Sequence, residues 1–487
     1  VVEARHLNRA AAQLFSLEGR REAPDIVNFE DLKPFWRALR GEILNDLDHS
    51  TWGPGYVEIV EHPKNPLSVR PIARFSIKDR LIYDALAAVV AESIEPLLSD
   101  RVYSYRANRP TTHSIRAWVK MRERARAKLQ QAGTRMARTD ITSFYEHIDL
   151  GILSMDLDSI GVDAKTIERL QYFLNHFSHQ SHAWGLPQGA TASGILANTY
   201  LLPIDEWLLQ TEIDWVRYSD DIYLFNRNEE ELRSILLGTN RTLRARKLSM
   251  SSAKTEIFTN KGAEDFLDDA EKDLISYFLS LGKPWAKKLL RDLFARALTQ
   301  ESPNERDIKF SLPRLGRIKD DSALEWGMDN LKSLHHLSEQ ILRYSEALPR
   351  HSKTLAQTLE ALTDSMPNKD YPYLERNIFH STLRKNLESA AIKSHAWRVL
   401  RDHNRPNLPR EFAARYIGRF AKPADGPLLR MEYESEGSEY VRRALLVAMH
   451  ESDYISPTLL ENLTRSPSQL RWTAAYLLRN PRIPHPK

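Results

Sequence analysis

The stretch that most constrains this chain is Trp215 to Phe225, reading Trp-Val-Arg-Tyr-Ser-Asp-Asp-Ile-Tyr-Leu-Phe. Val216 and Tyr218 before the two acids, and Ile222 and Leu224 after them, keep the period-two spacing of strands. The pattern predicts a hairpin with Asp220 and Asp221 at its tip. Strands this apolar belong in a buried sheet, where carboxylates are costly unless they bind a metal or are otherwise satisfied. An isolated Asp-Asp pair is ordinarily a solvated turn, so the reading depends on what accompanies it.

The chain's 487 residues are too many for one ordinary core and predict two or three domains. A hydrophobic share of 42% and a charged share of 28% describe a globular protein, and a net charge of +4 says little until its distribution is known. The absence of cysteine excludes disulfides and cysteine-bound zinc and fits a reducing compartment, so the expected location is cytoplasmic. The best apolar run, Ala85 to Ala91, ends at Glu92 and is too short to span a membrane. Glu3, Arg5 and Arg9 near the start are unlike a signal peptide.

Residues 1–50 read as a helical segment, with Phe29 to Leu47 interrupted by Pro34. Trp52-Gly53-Pro54-Gly55 is a break, Tyr56 to Val60 a short strand, and Pro63, Pro66 and Pro71 keep the next segment extended. Arg70-Pro71 and Lys78-Asp79-Arg80 precede an apolar helix that runs through Leu98. From Arg101 to Arg138, eleven bases face a single acid, Glu123. Such a run, which includes Arg106, Arg116 and Lys120, suits a nucleic-acid backbone, although Arg and Lys also populate solvated helix faces.

Asp140-Ile141-Thr142-Ser143-Phe144-Tyr145 follows as a strand end carrying an acid. Gly185-Leu186-Pro187-Gln188-Gly189 then opens a helix of small and apolar residues, its glycines allowing close backbone approach and Gln188 offering a donor and an acceptor. After the Asp-Asp hairpin comes Lys254-Thr255 entering another strand. Asp140 and Asp220 lie 80 residues apart and meet most simply as neighbours in one sheet. Two or three carboxylates suffice for divalent ions that clamp the attacking and leaving oxygens of nucleotidyl transfer. His176, His179 and His182, three residues apart, form a weaker metal candidate without a neighbouring acid or cysteine. The chain has neither a Gly-x-x-x-x-Gly-Lys phosphate loop nor a Gly-x-Ser-x-Gly elbow.

The order of these pieces, from about Arg70 to Phe258, resembles a reverse transcriptase. Arg70-Pro71 with Lys78-Asp79-Arg80 resembles the fingers. Ser104-Tyr105-Arg106 resembles the segment that closes them, without the family's glycine. Asp140 to Tyr145 resembles the first palm motif, Gly185 to Ala190 the Gln-Gly motif, Tyr218 to Asp221 the Tyr-x-Asp-Asp box, and Lys254-Thr255 the Lys-Thr element. The resemblance implies an α+β fold of fingers and palm, the right-hand polymerase arrangement, over residues 51–280, with a palm core at about 136–260. It implies Asp140, Asp220 and Asp221 as catalytic metal ligands for two Mg2+ ions, with Mn2+ as a substitute. It places Arg74 and Lys78 at the triphosphate, Phe144 and Gln188 at the nucleotide, and Tyr145 against a ribose 2′-hydroxyl. Lys254 would assist departure of pyrophosphate. Deoxynucleoside triphosphates, a DNA product and RNA are the implied partners.

Residues 281–487 read as helical throughout. Trp285 to Leu298 and Leu324 to Leu348 have apolar residues at three and four spacing, and helices starting near Phe412, Tyr440 and Leu470 recur at 28 and 30 residues. Leu470 to Leu478 resembles a HEAT-like inner helix, so an all-α helical-repeat domain is expected, with a plain bundle as the alternative. A reverse-transcriptase palm joined to such a domain resembles the abortive-infection polymerases of bacterial anti-phage defence. That resemblance implies synthesis without a template, a protein hydroxyl as primer, a product attached to the protein, and a homo-oligomer. Any of the eighteen tyrosines could supply that hydroxyl, and Tyr56, Tyr103 and Tyr105 lie near the expected fingers. The alternatives are an RNA-templated enzyme of retron or intron type and a non-catalytic nucleic-acid-binding scaffold.

Overall fold

Period-two segments far apart in the chain pair into one sheet in the computed structural model, which describes residues 1–16, 24–106, 114–180, 183–267, 269–299, 303–364 and 371–483. The chain divides into two compact units, one of Val1–Ala23, Arg37–Ile59 and Pro71–Asp269, the other of Pro24–Trp36, Val60–Arg70 and Ala270–Lys487.

The first unit contains α1 (Ala4–Leu14), α2 (Trp36–Asp48), α3 (Ile77–Ile94), α4 (Ser114–Leu129), α5 (Leu150–Ser159), α6 (Ala164–Ser178), α7 (Thr191–Gln210), α8 (Glu229–Ala245) and α9 (Asn260–Leu267). Strands β1 (Glu58–Asn65) and β2 (Ser68–Arg74) form a two-stranded sheet where the sequence predicted one short strand and an extended segment. Pro66 and Leu67 fall between the two strands, and Asn65 Oδ1 accepts from Leu67 N at 2.9 Å, closing the turn.

The second sheet has the order β4 (Asp214–Tyr218), β5 (Asp221–Asn226), β3 (Arg135–Thr139), β6 (Glu256–Phe258), antiparallel throughout. Alternation gives it two faces. Met136, Val216, Tyr223 and Phe225 pack with Met121, Ala125 and Leu129 of α4 and with Ala263 and Leu267 of α9. Trp215, Arg217, Ile222 and Leu224 occupy the other face, buried on the side of α7 and α8. Each large apolar side chain buried this way contributes about 1.5–3 kcal/mol.

The second unit is helical: α10 (Ala270–Ser280), α11 (Pro284–Leu298), α12 (Glu305–Arg317), α13 (Leu324–Asp329), α14 (Ser338–Glu346), α15 (Ser352–Asp364), α16 (Pro372–Lys385), α17 (Ala390–Arg401), α18 (Asn407–Arg419), α19 (Asp425–Ser435), α20 (Glu439–Glu451), α21 (Pro457–Thr464) and α22 (Leu470–Arg479). Alternate helices form a row: α12, α14, α16, α18, α20 and α22 each pack on the next, while α17, α19 and α21 pair beside them. Gly418 makes the closest approach in that row, since a Cβ there would lie 2.4 Å from Ala448 Cα. The single helix expected over 324–348 is broken, because the Asn330 amide donates back to Trp326 O at 2.9 Å and ends α13.

Two short segments leave the linear division that the sequence suggested. Ile26 and Val27 lie in the core of the second unit, and Asp25 and Asp31 both pair with Arg443 of α20. Among the described residues no helix is long and apolar enough to cross a membrane.

Candidate active site

Strand pairing places the three acids. Register pairs Thr139 with Ile222, so the next step sets Asp140 opposite Asp221. Asp140 is fixed by its backbone carbonyl, which accepts from Ser251 N at 2.8 Å, while Thr142 N donates to Ser249 O at 2.9 Å. Tyr218 pairs with Asp221, leaving Ser219 and Asp220 as a two-residue turn with Ser219 at φ +57°. The predicted hairpin with acids at its tip is therefore present.

The electrostatics distinguish the acids. Burial and the nearby charges of Asp140 and Asp221 push the Asp220 carboxyl up to about 6. Burial also raises Asp221, against the opposing effect of Arg138, whose Nη2 donates to Asp221 Oδ1 at 3.1 Å. Lys254 Nζ donates to Asp140 Oδ2 at 2.8 Å. Arg138 was absent from the sequence-derived site; it sits two residues before Asp140, on the same face of β3, and its guanidinium lies 4.9 Å from the Phe266 ring. The period-two rule was the signal that would have found it.

The Gln-Gly loop reaches this region through its glycines. A Cβ on Gly185, at φ +64°, would lie 2.3 Å from Tyr145 O, and Leu186 N donates to the same oxygen at 2.8 Å. Gly189, at φ +93°, lies against Ile72. Ala73 N donates to Gln188 O at 2.9 Å, and Arg80 Nη1 donates to Gly189 O at 3.2 Å. Arg80 is thus a tether that sequence reasoning missed. Gln188 and Tyr145 are half-buried. Phe144 is buried, its ring 5.4 Å from that of Tyr145.

Other expected site residues are committed elsewhere. Arg74 pairs with buried Glu58 at 3.1 Å, and Lys78 with Asp46 and Glu42. Arg106 is a correction to the nucleic-acid assignment. It turns inward to Glu95 at 2.9 Å and to the carbonyls of Leu98, Ser99 and Val102, a folding role. Arg116 and Lys120 lie exposed on α4. Six of the eleven bases of the run pair with acids from elsewhere in the chain: Arg101, Arg106, Arg124, Lys128, Arg135 and Arg138 with Asp214, Glu95, Asp100, Asp214, Glu229 and Asp221. Arg109 lies outside the described residues, as does His182. His176 contacts Gly55 O and Gln180, and His179 contacts Asn175 O, so the histidine candidate is not assembled among the described residues.

Among the described residues no three His, Cys, Asp or Glu side chains form a ready-made metal cage. The donor chemistry nevertheless fits hard divalent cations: Asp140, Asp220 and Asp221 are close enough for two of them to raise the third, and a cation would relieve that repulsion. Asp140 and Asp221 would exchange Lys254 and Arg138 for such an ion.

Residues 62–296 match the family model described as reverse transcriptase (RNA-dependent DNA polymerase). Two curated relatives are group II intron-encoded protein LtrA of Lactococcus lactis subsp. cremoris and of its strain MG1363. Each is 26% identical over 187 residues, which cover 37% of this chain and 30% of the relative. The match thus spans less than a third of those relatives' length. Among solved structures, apo telomerase from Candida tropicalis aligns at 12% identity and a TM-score of 0.33, over 90% of this chain and 74% of that one. The same telomerase with a TWJ fragment of telomeric RNA aligns at 12% identity and a TM-score of 0.30, over 68% and 65%.

Proposed function

We propose that the chain is a DNA polymerase that adds deoxynucleotides with two Mg2+ ions, a nucleotidyltransferase reading supported by the match of residues 62–296 to the reverse-transcriptase family model. The observation that carries this reading is the convergence of Asp140, Asp220 and Asp221 at one end of the inner strands β3 and β5, beside Lys254. Asp140, Asp220 and Asp221 would hold the ions, which when bound activate the attacking hydroxyl and neutralise the leaving pyrophosphate. On this reading Lys254, which donates to Asp140 Oδ2, would give a proton to that leaving group. By the same reading Gln188 would meet the nucleotide from a loop whose backbone bonds to Ala73 and, through Leu186, to the Tyr145 carbonyl, and Tyr145 would exclude a 2′-hydroxyl.

The finer reading is protein-primed, template-independent synthesis in abortive-infection defence, by a homo-oligomer. Its support is the pairing of this domain with a unit of alternating helices, read as HEAT-like. Of the three tyrosines near the expected fingers, Tyr56 is 67% exposed, Tyr105 is 39% exposed and Tyr103 is buried, so Tyr56 is the most reachable of them. The second reading, RNA-templated copying, is favoured by the match to the intron-encoded protein LtrA.

The test supplies each labelled deoxynucleotide and Mg2+ to nuclease-treated protein, without template or primer. Label that migrates with the protein, is released by protease and vanishes in Asp220→Asn supports priming on the protein. Label that needs added RNA and primer selects the templated enzyme. Incorporation that persists in Asp220→Asn overturns the assignment of the acids.

A further inference from the structure

We infer that Arg217 is a positioning residue for the acid turn, acting through Asp205 and Asn198 of α7 and through Ser104; the inference rests on the polymerase reading of the acids. Arg217 lies in the middle of β4 with no exposure. Its Nε and Nη2 donate to the two carboxylate oxygens of buried Asp205, at 2.8 and 2.5 Å. Its Nη1 donates to Asn198 Oδ1 at 2.9 Å and to the backbone carbonyl of Ser219 at 3.0 Å. Asn198 Nδ2 donates to Ser104 O at 2.9 Å, and Ser104 Oγ accepts from Ser219 N at 2.7 Å.

The peptide groups on both sides of Ser219 are therefore held, one by Arg217 and one by Ser104. Ser219 is the turn residue whose positive φ disfavours any side chain, and it directly precedes Asp220. Ser104 is held in turn: Tyr103 N donates to Arg217 O at 3.0 Å, and the Tyr105 ring covers Gly194 so closely that a Cβ there would lie 2.3 Å away. A buried Arg–Asp pair is by itself a poor source of stability compared with apolar packing. Here Nη1 serves the turn and its brace instead of the carboxylate, and its removal would release the Ser219–Asp220 peptide without touching a metal ligand. Metal ligands set by such outer contacts lose about 10–100-fold in affinity or activity when the contact is removed.

The experiment compares Ser104→Ala, Ser104→Thr and Arg217→Lys with the parent. Three readouts are used: thermal unfolding, Mn2+ binding by electron paramagnetic resonance without nucleotide, and kcat and KM for deoxynucleotide. Ser104→Ala removes one acceptor and little volume, so it tests the idea even where Arg217→Lys fails to fold. The expected result is that Ser104→Ala binds Mn2+ about 10-fold more weakly and loses about 10-fold in kcat with KM within about twofold, while Ser104→Thr restores both. Mn2+ affinity and kcat per folded molecule equal to the parent's would overturn the proposal and leave Arg217 a core ion pair. A parent that binds Mn2+ but incorporates nothing sinks the polymerase reading alone, and the Mn2+ comparison still decides the clamp. A parent that does neither overturns both.

Discussion

In the first unit like charge gathers as acid, with Asp220 raised to about 6 by burial and by Asp140 and Asp221. In the second it gathers as base: burial and the guanidiniums of Arg376, Arg384, Arg343 and Arg415 hold the His380 imidazole far below its usual range. The acids stand at strand ends beside a two-residue turn, where Arg138 and Lys254 can give way to another cation. The bases stand inside the helix row, with Arg376 94% buried and its guanidinium 5.0 Å from the Phe412 ring. Repulsion at a turn is available to a ligand, whereas repulsion between packed helices is removed by leaving a histidine neutral. The first arrangement suits chemistry and the second suits packing.

The sharpest break in that comparison is Asp220→Asn. Incorporation should fall by about 10^3-fold or more, the scale for deleting a preorganised charge at a transition state. The same change should stabilise the metal-free protein, because an ionised Asp220 in its folded site carries an uncompensated cost of about 3 kcal/mol above pH 6. Unfolding in EDTA at pH 8 reads this directly. A variant that loses both activity and stability would mean that Asp220 is a structural acid.

Glycine substitutions should separate the units. Gly185→Ala drives a methyl into Tyr145 O at a positive φ, and Gly418→Ala drives one into Ala448 Cα. Each should cost about 1–3 kcal/mol or more by overpacking. Only Gly185→Ala should abolish nucleotide incorporation at temperatures where both variants remain folded. Equal loss of activity in Gly418→Ala would show that the helix row bears on the reaction.

The site was more legible than its supports, for a local reason. Asp140, Gln188, Asp220 and Lys254 sit in short stretches whose own spacing reveals strand, loop and hairpin. Arg217 and Asp205 gave only a weaker sign: an arginine in an apolar strand and an aspartate within Leu-Pro-Ile-Asp-Glu-Trp-Leu-Leu, each too costly to bury without a partner. Their pairing needs the fold. Arg106 was misread because the run from Arg101 to Arg138 was counted against its one internal acid, while its compensating acids come from Glu95, Asp100, Asp214, Asp221 and Glu229. The interleaving of residues 24–36 and 60–70 with the helical unit left no periodic trace, since each segment is too short to display one.

Acid should act on the two units with opposite sign. Asp220 binds a proton in the folded state between its ordinary 3.8 and about 6, so its contribution to metal-free stability falls as pH rises through that window. His380, and with it His62 and His335, is lowered by burial from 6.5, so the unfolded chain takes the proton first and stability is lost as pH falls below 6.5. For His380 the loss between pH 6.5 and pH 5 should be about 2 kcal/mol. Urea unfolding of His380→Gln against the parent should show that slope flattened, and parallel slopes would place His380 in contact with water.

The smallest expected effect concerns the basic run, where neutralised and exposed cations can be told apart. Arg124 is already engaged by Asp100 at 2.6 Å, whereas Arg116 and Lys120 project from the same helix into solvent. If those two meet phosphates, the double variant Arg116→Gln/Lys120→Gln should lower the salt dependence of single-stranded nucleic-acid binding by about 1.4 in log–log slope, about 0.7 for each contact. Arg124→Gln should leave the slope near the parent's, because its charge is offset before any strand arrives. Fluorescence anisotropy of a labelled oligonucleotide across a salt series makes the measurement. Equal slopes in all three proteins would reduce the exposed part of α4 to an ordinary solvated face, and the acids of the first unit would then have to recruit their strand from another surface.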